Sequence, residues 1–390
     1  MKTPHYLATI LLTVLSVAAQ PASTPAPAPT PARPVAIISP EINSARDVTF
    51  RIKAPNAKQV TVRGQWTKDP IPLARSEDGV WSTTTPAVAP GVWEYSFNVD
   101  GLTMVDPANT AIKPMREPRT SILHLPEVTP QPWDFQNVPH GTVHLHSYLS
   151  KGLGRPRELW VYTPPGYEAA LATKYPLLVL QHGSGDNQQT WIAHGKAHWI
   201  LDSLIAAGKA RPMVVVMLDG HPFTPTALRD GAARNGTMDA FRRELFDDAL
   251  PLVEMTYRVE RDRSQRGIVG LSMGGGQSLT VGLGNLDRFS WVGSFSGSVP
   301  EESAVQSAFT DATATNAQLS LLWIGCGADD SLLKRNEEFV GKLKAAGVTH
   351  EWHRTAGAHS WPVWRGYLAD FLPRIFQPQT VATSASAAAK

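Results

Sequence analysis

Cysteine occurs once in the 390 residues, at Cys326, so no internal disulfide can form. That removes the usual mark of an oxidising compartment without contradicting export. Cys326 lies inside the apolar run Leu321–Gly327 and reads as a buried packing residue. Charge of one sign is also lacking. The formal net charge is +2, with no basic run or stripe, which excludes a nucleic-acid footprint. Past the N-terminus no stretch approaches the roughly 20 apolar residues of a membrane span. Metal-ligand spacing is missing too: no H-E-x-x-H occurs, and His144 and His146, alternating on a strand, have no third ligand by spacing. No metal or organic cofactor is therefore expected, and no nucleic-acid or membrane partner.

What is present is ample core material, 42% hydrophobic against 18% charged, in a chain long enough for two domains. Lys2, the apolar Tyr6–Val17 and the small residues behind it read as a signal peptide over residues 1–19. The mature chain is expected to be secreted or periplasmic. Residues 20–34 are a Pro/Ala linker biased toward extended polyproline conformation, and residues 378–390 are a low-complexity tail.

Residues 35–126 alternate apolar and polar with period two between turn signals, as in Asp47–Lys53, Gln59–Arg63 and Gly91–Val99. This predicts a small antiparallel sandwich. Trp93, Tyr95 and Phe97 share one strand face, and such a stripe is more often core than platform. Trp66, in a loop, is the better candidate for stacking on sugar. Residues 127–140 form a Pro-bearing connector.

From 141 to 377 strands alternate with helices. A hairpin is predicted over Thr142–Tyr148 and Glu158–Thr163, and the continuous apolar runs Pro176–Gln181 and Met213–Leu218 predict strands buried on both faces. Trp191–Ala207 and Phe241–Tyr257 carry helical periodicity. Together they predict a doubly wound α/β sheet with ligands at the carboxyl ends of its strands.

The chemistry centres on Gly270–Gly274 (GLSMG), preceded by an apolar strand and followed by a helix-compatible run. This is the pattern of a nucleophile elbow around Ser272. A serine hydroxyl needs a base and a group that orients it. In the order Ser, acid, His, Gly327–Asp330 (GADD) supplies the acid and His359, in a small-residue loop before the last helix, the base. The G-x-x-D spacing favours Asp330, with Asp329 a capping or solvated neighbour. His350 and His353 are read as surface or packing residues, His194 and His198 as sharing a helix face, and Ser296 as a decoy lacking glycine two positions before it. Met273 N–H is the first oxyanion donor. The second is sought in His182–Asp186 (HGSGD), with Ser184 preferred and Gly183 and Gly185 allowing close approach. Trp191, Trp361 and Trp364 are candidate pocket walls, with core packing equally open for each.

Two resemblances follow. Val62–Trp66, Asp78–Trp81, Pro90–Tyr95 and Val99–Gly101 with Asp106–Pro107 resemble the glycogen-binding-type carbohydrate-binding module of family 48, an immunoglobulin-like sandwich. Residues 141–376 resemble carbohydrate esterase family 1 feruloyl esterases, esterase D and enterochelin esterases, on Trp160–Tyr167 (WVYTPPGY), His182–Gly183, Gly270–Gly275, Gly327–Asp330 and Ala358–Trp364 (AHSWPVW). The resemblance implies an alpha/beta-hydrolase fold with Ser272 as nucleophile, His359 as base then acid, and Asp330 as orienter. It also implies feruloylated arabinoxylan as substrate, since a family 48-like module fused to such an esterase belongs mostly with enzymes acting on xylan. The alternatives are a siderophore or acetyl-xylan esterase and, from another class, a carbohydrate-binding protein whose hydrolase domain is inactive.

Overall fold

The computed structural model describes residues 36–377 apart from 87, 225 and 228–235. The expected leader (1–19), linker (20–34) and tail (378–390) lie outside the described residues. The described residues from Ile37 onward form one compact unit.

Among the described residues nine strands come first: β1 (Glu41–Ile42), β2 (Val48–Lys53), β3 (Val60–Gly64), β4 (Ile71–Pro72), β5 (Ala74–Arg75), β6 (Val80–Thr85), β7 (Gly91–Val99), β8 (Leu102–Met104) and β9 (Ser121–Leu125). They make two antiparallel sheets, β1-β2-β6-β5 and β4-β3-β7-β8, with β9 also on β7. Alternation builds the shared core. Val48, Phe50, Ile52 and Trp81 from one sheet meet Val60, Val62, Tyr95 and Phe97 from the other. Trp66 does not offer a free face for sugar. Its ring stacks on Phe50 at 5.9 Å and tilts against Tyr95 at 6.4 Å, so it fills its own module. Trp93 shares the stripe with Tyr95 and Phe97 but is only half-buried, its indole N–H donating to the Ala89 carbonyl at 2.8 Å.

The third sheet has eight strands: β10 (Thr142–Ser150), β11 (Arg155–Thr163), β12 (Leu177–Gln181), β13 (Val214–Leu218), β14 (Arg266–Leu271), β15 (Trp291–Phe295), β16 (Leu321–Gly327) and β17 (Glu351–Thr355). Their order is β10-β11-β13-β12-β14-β15-β16-β17. β10, β11 and β13 pair antiparallel, and the pairs from β13 to β17 are parallel. The result is a mixed α/β fold. Period-two alternation splits the apolar strands between two cores: Leu177 and Val179 face one, Leu178 and Leu180 the other.

Helices cover both faces: α1 (Thr190–Ala193), α2 (Ala197–Ala206), α3 (Thr237–Arg243), α4 (Leu250–Thr256), α5 (Met273–Gly284), α6 (Glu302–Thr310), α7 (Ala312–Gln318), α8 (Leu333–Ala346) and α9 (Trp361–Phe371). Two periodic runs prove to be interrupted. The run from Trp191 breaks between α1 and α2, where Lys196 takes φ 58° and a Cβ on Gly195 would lie 2.7 Å from the rings of both Trp191 and Trp361. The run from Phe241 contains a π-turn, Glu244–Ala249, between α3 and α4. Pro251, lacking an N–H, stands just after it. The π-turn carries the buried Glu244, whose carboxylate accepts from Arg157 Nε at 2.6 Å and Tyr148 Oη at 2.6 Å. Helices α6 and α7 escape periodicity because few of their residues are buried, Val305 and Ala308 in α6 and Thr315 in α7.

Strand order reverses around β12, whose neighbours are β13 and β14. The loops after β12 and β14 therefore meet at one end of the sheet, where open α/β sheets bind ligands. Behind that end Phe295 is fully buried, with its ring 5.1 Å from Trp323 and 5.8 Å from both Tyr367 and Phe371. Phe295→Ala should lower unfolding free energy by about 3–5 kcal/mol in denaturant titrations; a loss below about 1 kcal/mol would contradict the packing account.

Candidate active site

Ser272 ends β14 and opens α5 with φ 52° and ψ −116°. A non-glycine residue held there costs of order 1–3 kcal/mol, and the surroundings hold it. The Ser272 N–H donates to the Phe295 carbonyl at 2.9 Å, and the Ser272 carbonyl accepts from Ser298 N at 3.0 Å. The turn leaves no room for side chains beside it: a Cβ on Gly270 would lie 2.6 Å from the Gly274 carbonyl, and one on Gly274 2.4 Å from the His182 carbonyl. The hydroxyl thus projects past the end of the sheet beside the first turn of α5, whose N–H groups have no partner four residues back.

The three residues expected to cooperate are brought together. His359 Nε2 lies 2.9 Å from Ser272 Oγ, and its Nδ1 lies 2.9 Å and 3.1 Å from the two Asp330 carboxylate oxygens. Asp330 sits in the turn after β16. Its side chain is wholly buried, while the His359 ring is 31% exposed, so the imidazole is open to substrate and its anchor is not. Burial pushes the Asp330 carboxyl up, but the His359 hydrogen bond and the Leu332 N–H outweigh it and hold the group below the ordinary carboxylate value. Asp329 is exposed and contributes only its backbone N–H, to the Gly357 carbonyl at 2.9 Å. Ser296 also has positive φ, 48°, but is fully buried.

A cavity of about 180 Å³ contains Ser272 and His359, with Gly183, Ser184, Trp361 and Trp364 in its wall. Gly183 approaches closely, since a Cβ there would lie 3.3 Å from Ser272 Cβ. Ser184 is exposed at the rim, and Met273 is half-buried at the start of α5. Gly185 and Trp191 are not in this wall. Gly185 turns outward with φ 82°, its N–H donating to His221 Nε2 at 3.2 Å and its carbonyl accepting from Arg116 N at 2.9 Å. Trp191 is 1% exposed, its indole N–H donates to the Gln181 carbonyl at 2.8 Å, and its ring backs Trp361 at 4.9 Å. It supports the wall from inside the core.

Sequence reasoning missed the contribution of the N-terminal module. Gln65, Glu94, Lys113 and Met115 line the same cavity. Lys113 Nζ lies 3.2 Å from Glu94 Oε1 and 3.1 Å from Asp186 Oδ1, so one ammonium joins a module carboxylate to the loop after β12. Met115 bridges Asp186 in antiparallel fashion, and Thr190 Oγ1 donates to the Pro114 carbonyl at 2.7 Å. Arg365, 1% exposed, donates to the carbonyls of both His194 and Val92. The only hint in the sequence was a lysine in a loop and a glutamate on an apolar strand, a signal too common to read. Burial pushes the Asp186 carboxyl up, against the pull of Lys113. His194 is fully buried with Nε2 3.3 Å from Glu94 Oε1.

Comparison with known proteins fits this geometry. The Esterase family model matches residues 150–375. An endo-1,4-beta-xylanase/feruloyl esterase of Xylanibacter ruminicola is 30% identical over 87% of the chain. The chain spans 46% of that protein's length, so it corresponds to part of it. An iron(III) enterobactin esterase of Escherichia coli K12 is 27% identical over 70% of the chain and 68% of its own length. Among solved structures, a ferulic acid esterase is 27% identical with TM-score 0.51, covering 61% of this chain and 97% of its own. The Shigella flexneri enterobactin esterase shares the fold at 21% identity and TM-score 0.60, over 84% of this chain and 92% of its own.

Burial lowers the His194 pKa from 6.5 to about 3, so the folded chain keeps it neutral where the unfolded chain would be protonated. Its contribution is complete above pH 6.5 and is lost as pH falls toward 3. Thermal melts should therefore show stability declining through this window, with up to about 1.4 kcal/mol per pH unit from this one proton. His194→Asn should flatten that limb. An unchanged slope in the variant would contradict the assignment.

Proposed function

The chain belongs to the Esterase family, and on that premise we propose that it is a secreted serine carboxylic-ester hydrolase releasing ferulate or related hydroxycinnamates from feruloylated arabinoxylan. The observation that carries the reading is the hydrogen-bonded chain from Ser272 Oγ through His359 to Asp330, at 2.9 Å for each step. In this reading the large sheet is an alpha/beta-hydrolase fold, and the N-terminal sheets are a family 48-like, immunoglobulin-like sandwich delivered with it by the leader at residues 1–19.

His359 Nε2 takes the Ser272 proton as Oγ attacks the ester carbonyl. The N–H groups of Met273 and Ser184 receive the oxyanion. The bond to the alcohol oxygen breaks as His359 returns its proton to that oxygen, leaving an acyl-enzyme. Water, deprotonated by His359, then releases the acid and restores Ser272. Asp330 holds His359 with Nδ1–H toward it and stabilises the imidazolium. The indole walls of Trp361 and Trp364 suit a planar aromatic acyl group. In the cavity two carboxylates, Glu94 and Asp186, face one ammonium, Lys113. That balance repels a polyanionic ferric siderophore and favours a neutral ester.

Ferulate release from methyl ferulate should be readily measured for the native chain. It should fall at least about 10⁴-fold in Ser272→Ala and roughly 10²–10⁴-fold in Asp330→Asn. Asp329→Asn should change it less than about twofold. Strong loss in Asp329→Asn with little in Asp330→Asn would overturn the assignment of the acid. Cleavage of an acetyl ester without ferulate release would keep the serine mechanism and remove the feruloyl substrate.

A further inference from the structure

A second, larger cavity of about 560 Å³ opens where the two modules meet. One wall comes from the N-terminal sheets, through Arg63, Trp93, Ser96 and Thr120, and the other from the loop that carries His359, through Ala358, Ser360 and Pro362. Gln65, Glu94 and Ser360 line both this groove and the cavity around Ser272, so the two are continuous.

Position and chemistry both bear on its occupant. The leaving alcohol of a serine esterase takes its proton from the histidine, so the alcohol side of the substrate must lie on the His359 side of the scissile carbonyl. The groove begins there, on residues flanking His359 on both sides. Its lining is a set of neutral or cationic hydrogen-bonding groups around one half-exposed indole. The Trp93 N–H is taken by the Ala89 carbonyl, which leaves the ring itself for contact. Glu94, the one carboxylate, is engaged by Lys113 and by Thr120 Oγ1 at 2.9 Å. The Arg63 and Ser96 side chains make no hydrogen bond or ion pair among the described residues. Hydroxyl, amide and guanidinium groups beside an aromatic face suit a polyhydroxylated, uncharged chain. The volume lies within the roughly 300–1,000 Å³ of ligand pockets.

We propose that this intermodule groove binds the saccharide that bears the ester, with Arg63, Gln65, Trp93 and Ser96 as its specificity-determining contacts. The inference rests on the ester-hydrolase reading for the placement of the alcohol. Binding of sugar to the groove can nevertheless be measured without any ester.

The test uses the full chain, native and in two variants, Arg63→Ala and the groove-filling Ser96→Trp. Calorimetry with an unesterified arabinoxylo-oligosaccharide should show binding by the native chain, weakened at least about threefold in Arg63→Ala and abolished in Ser96→Trp. In parallel, kcat/KM is measured on methyl ferulate and on feruloylated arabinoxylo-oligosaccharide. The oligosaccharide-to-methyl-ester ratio should fall at least about tenfold in Ser96→Trp, a difference of about 1.4 kcal/mol. No saccharide binding by the native chain, or binding and ratio unchanged in both variants, would overturn the groove assignment. Saccharide binding lost in Ser96→Trp, in a chain that cleaves neither ester, would uphold the groove while removing the esterase reading.

Discussion

Everything around the site depends on the backbone of Ser272 being held where serine does not rest by choice, at φ 52°. The strain is tolerable because the turn is bonded on both sides, to Phe295 and Ser298, and because the strand behind it is central and fully buried. The glycines on each side are steric necessities, since the Gly274 and His182 carbonyls occupy the space a side chain would need. Phe295 connects this turn to the deeper core: its carbonyl receives the serine N–H while its ring packs among Trp323, Tyr367 and Phe371. The geometry of the hydroxyl is thereby tied to the stability of the whole sheet.

A second dependence crosses between modules. The loop after β12 is held from below by His182, whose Nε2 lies 2.8 Å from Gly220 N. From above it is held by the segment around Lys113 through the Met115 bridge, the Arg116 N–H and the Lys113–Asp186 ion pair. Buried ion pairs are a poor source of net stability but are costly to break on one side. The Glu94–Lys113–Asp186 series therefore acts more as a register pin than as glue. The N-terminal module forms part of the cavity around Ser272, and the groove between modules follows from that arrangement.

Much of this was legible in the sequence because it is local. The GLSMG turn, the GADD turn at the end of an apolar strand and the histidine loop before α9 each carry their geometry within a few residues, and the apolar runs Pro176–Gln181 and Met213–Leu218 identify central strands. What remained hidden is nonlocal. Trp191 and Trp361 look alike in sequence and both are almost fully buried, yet only Trp361 reaches the cavity wall, while Trp191 is held inward by its indole N–H bond to the Gln181 carbonyl. Trp66, in a loop, reads as the better candidate for stacking on sugar, but Gly64 lets its ring fold back onto Phe50 and Tyr95. Lys113 and Glu94 show their role only when two segments far apart in the chain meet Asp186.

The central claim is that one serine, Ser272, is the reacting atom's owner. It is tested most directly by treating the folded chain with a fluorophosphonate, which phosphonylates an activated serine, and locating the adduct by peptide mass mapping. The account requires a single adduct, on the peptide containing Ser272, and its loss when His359 is replaced by alanine. An adduct on the buried Ser296, or labelling that persists without His359, would contradict it.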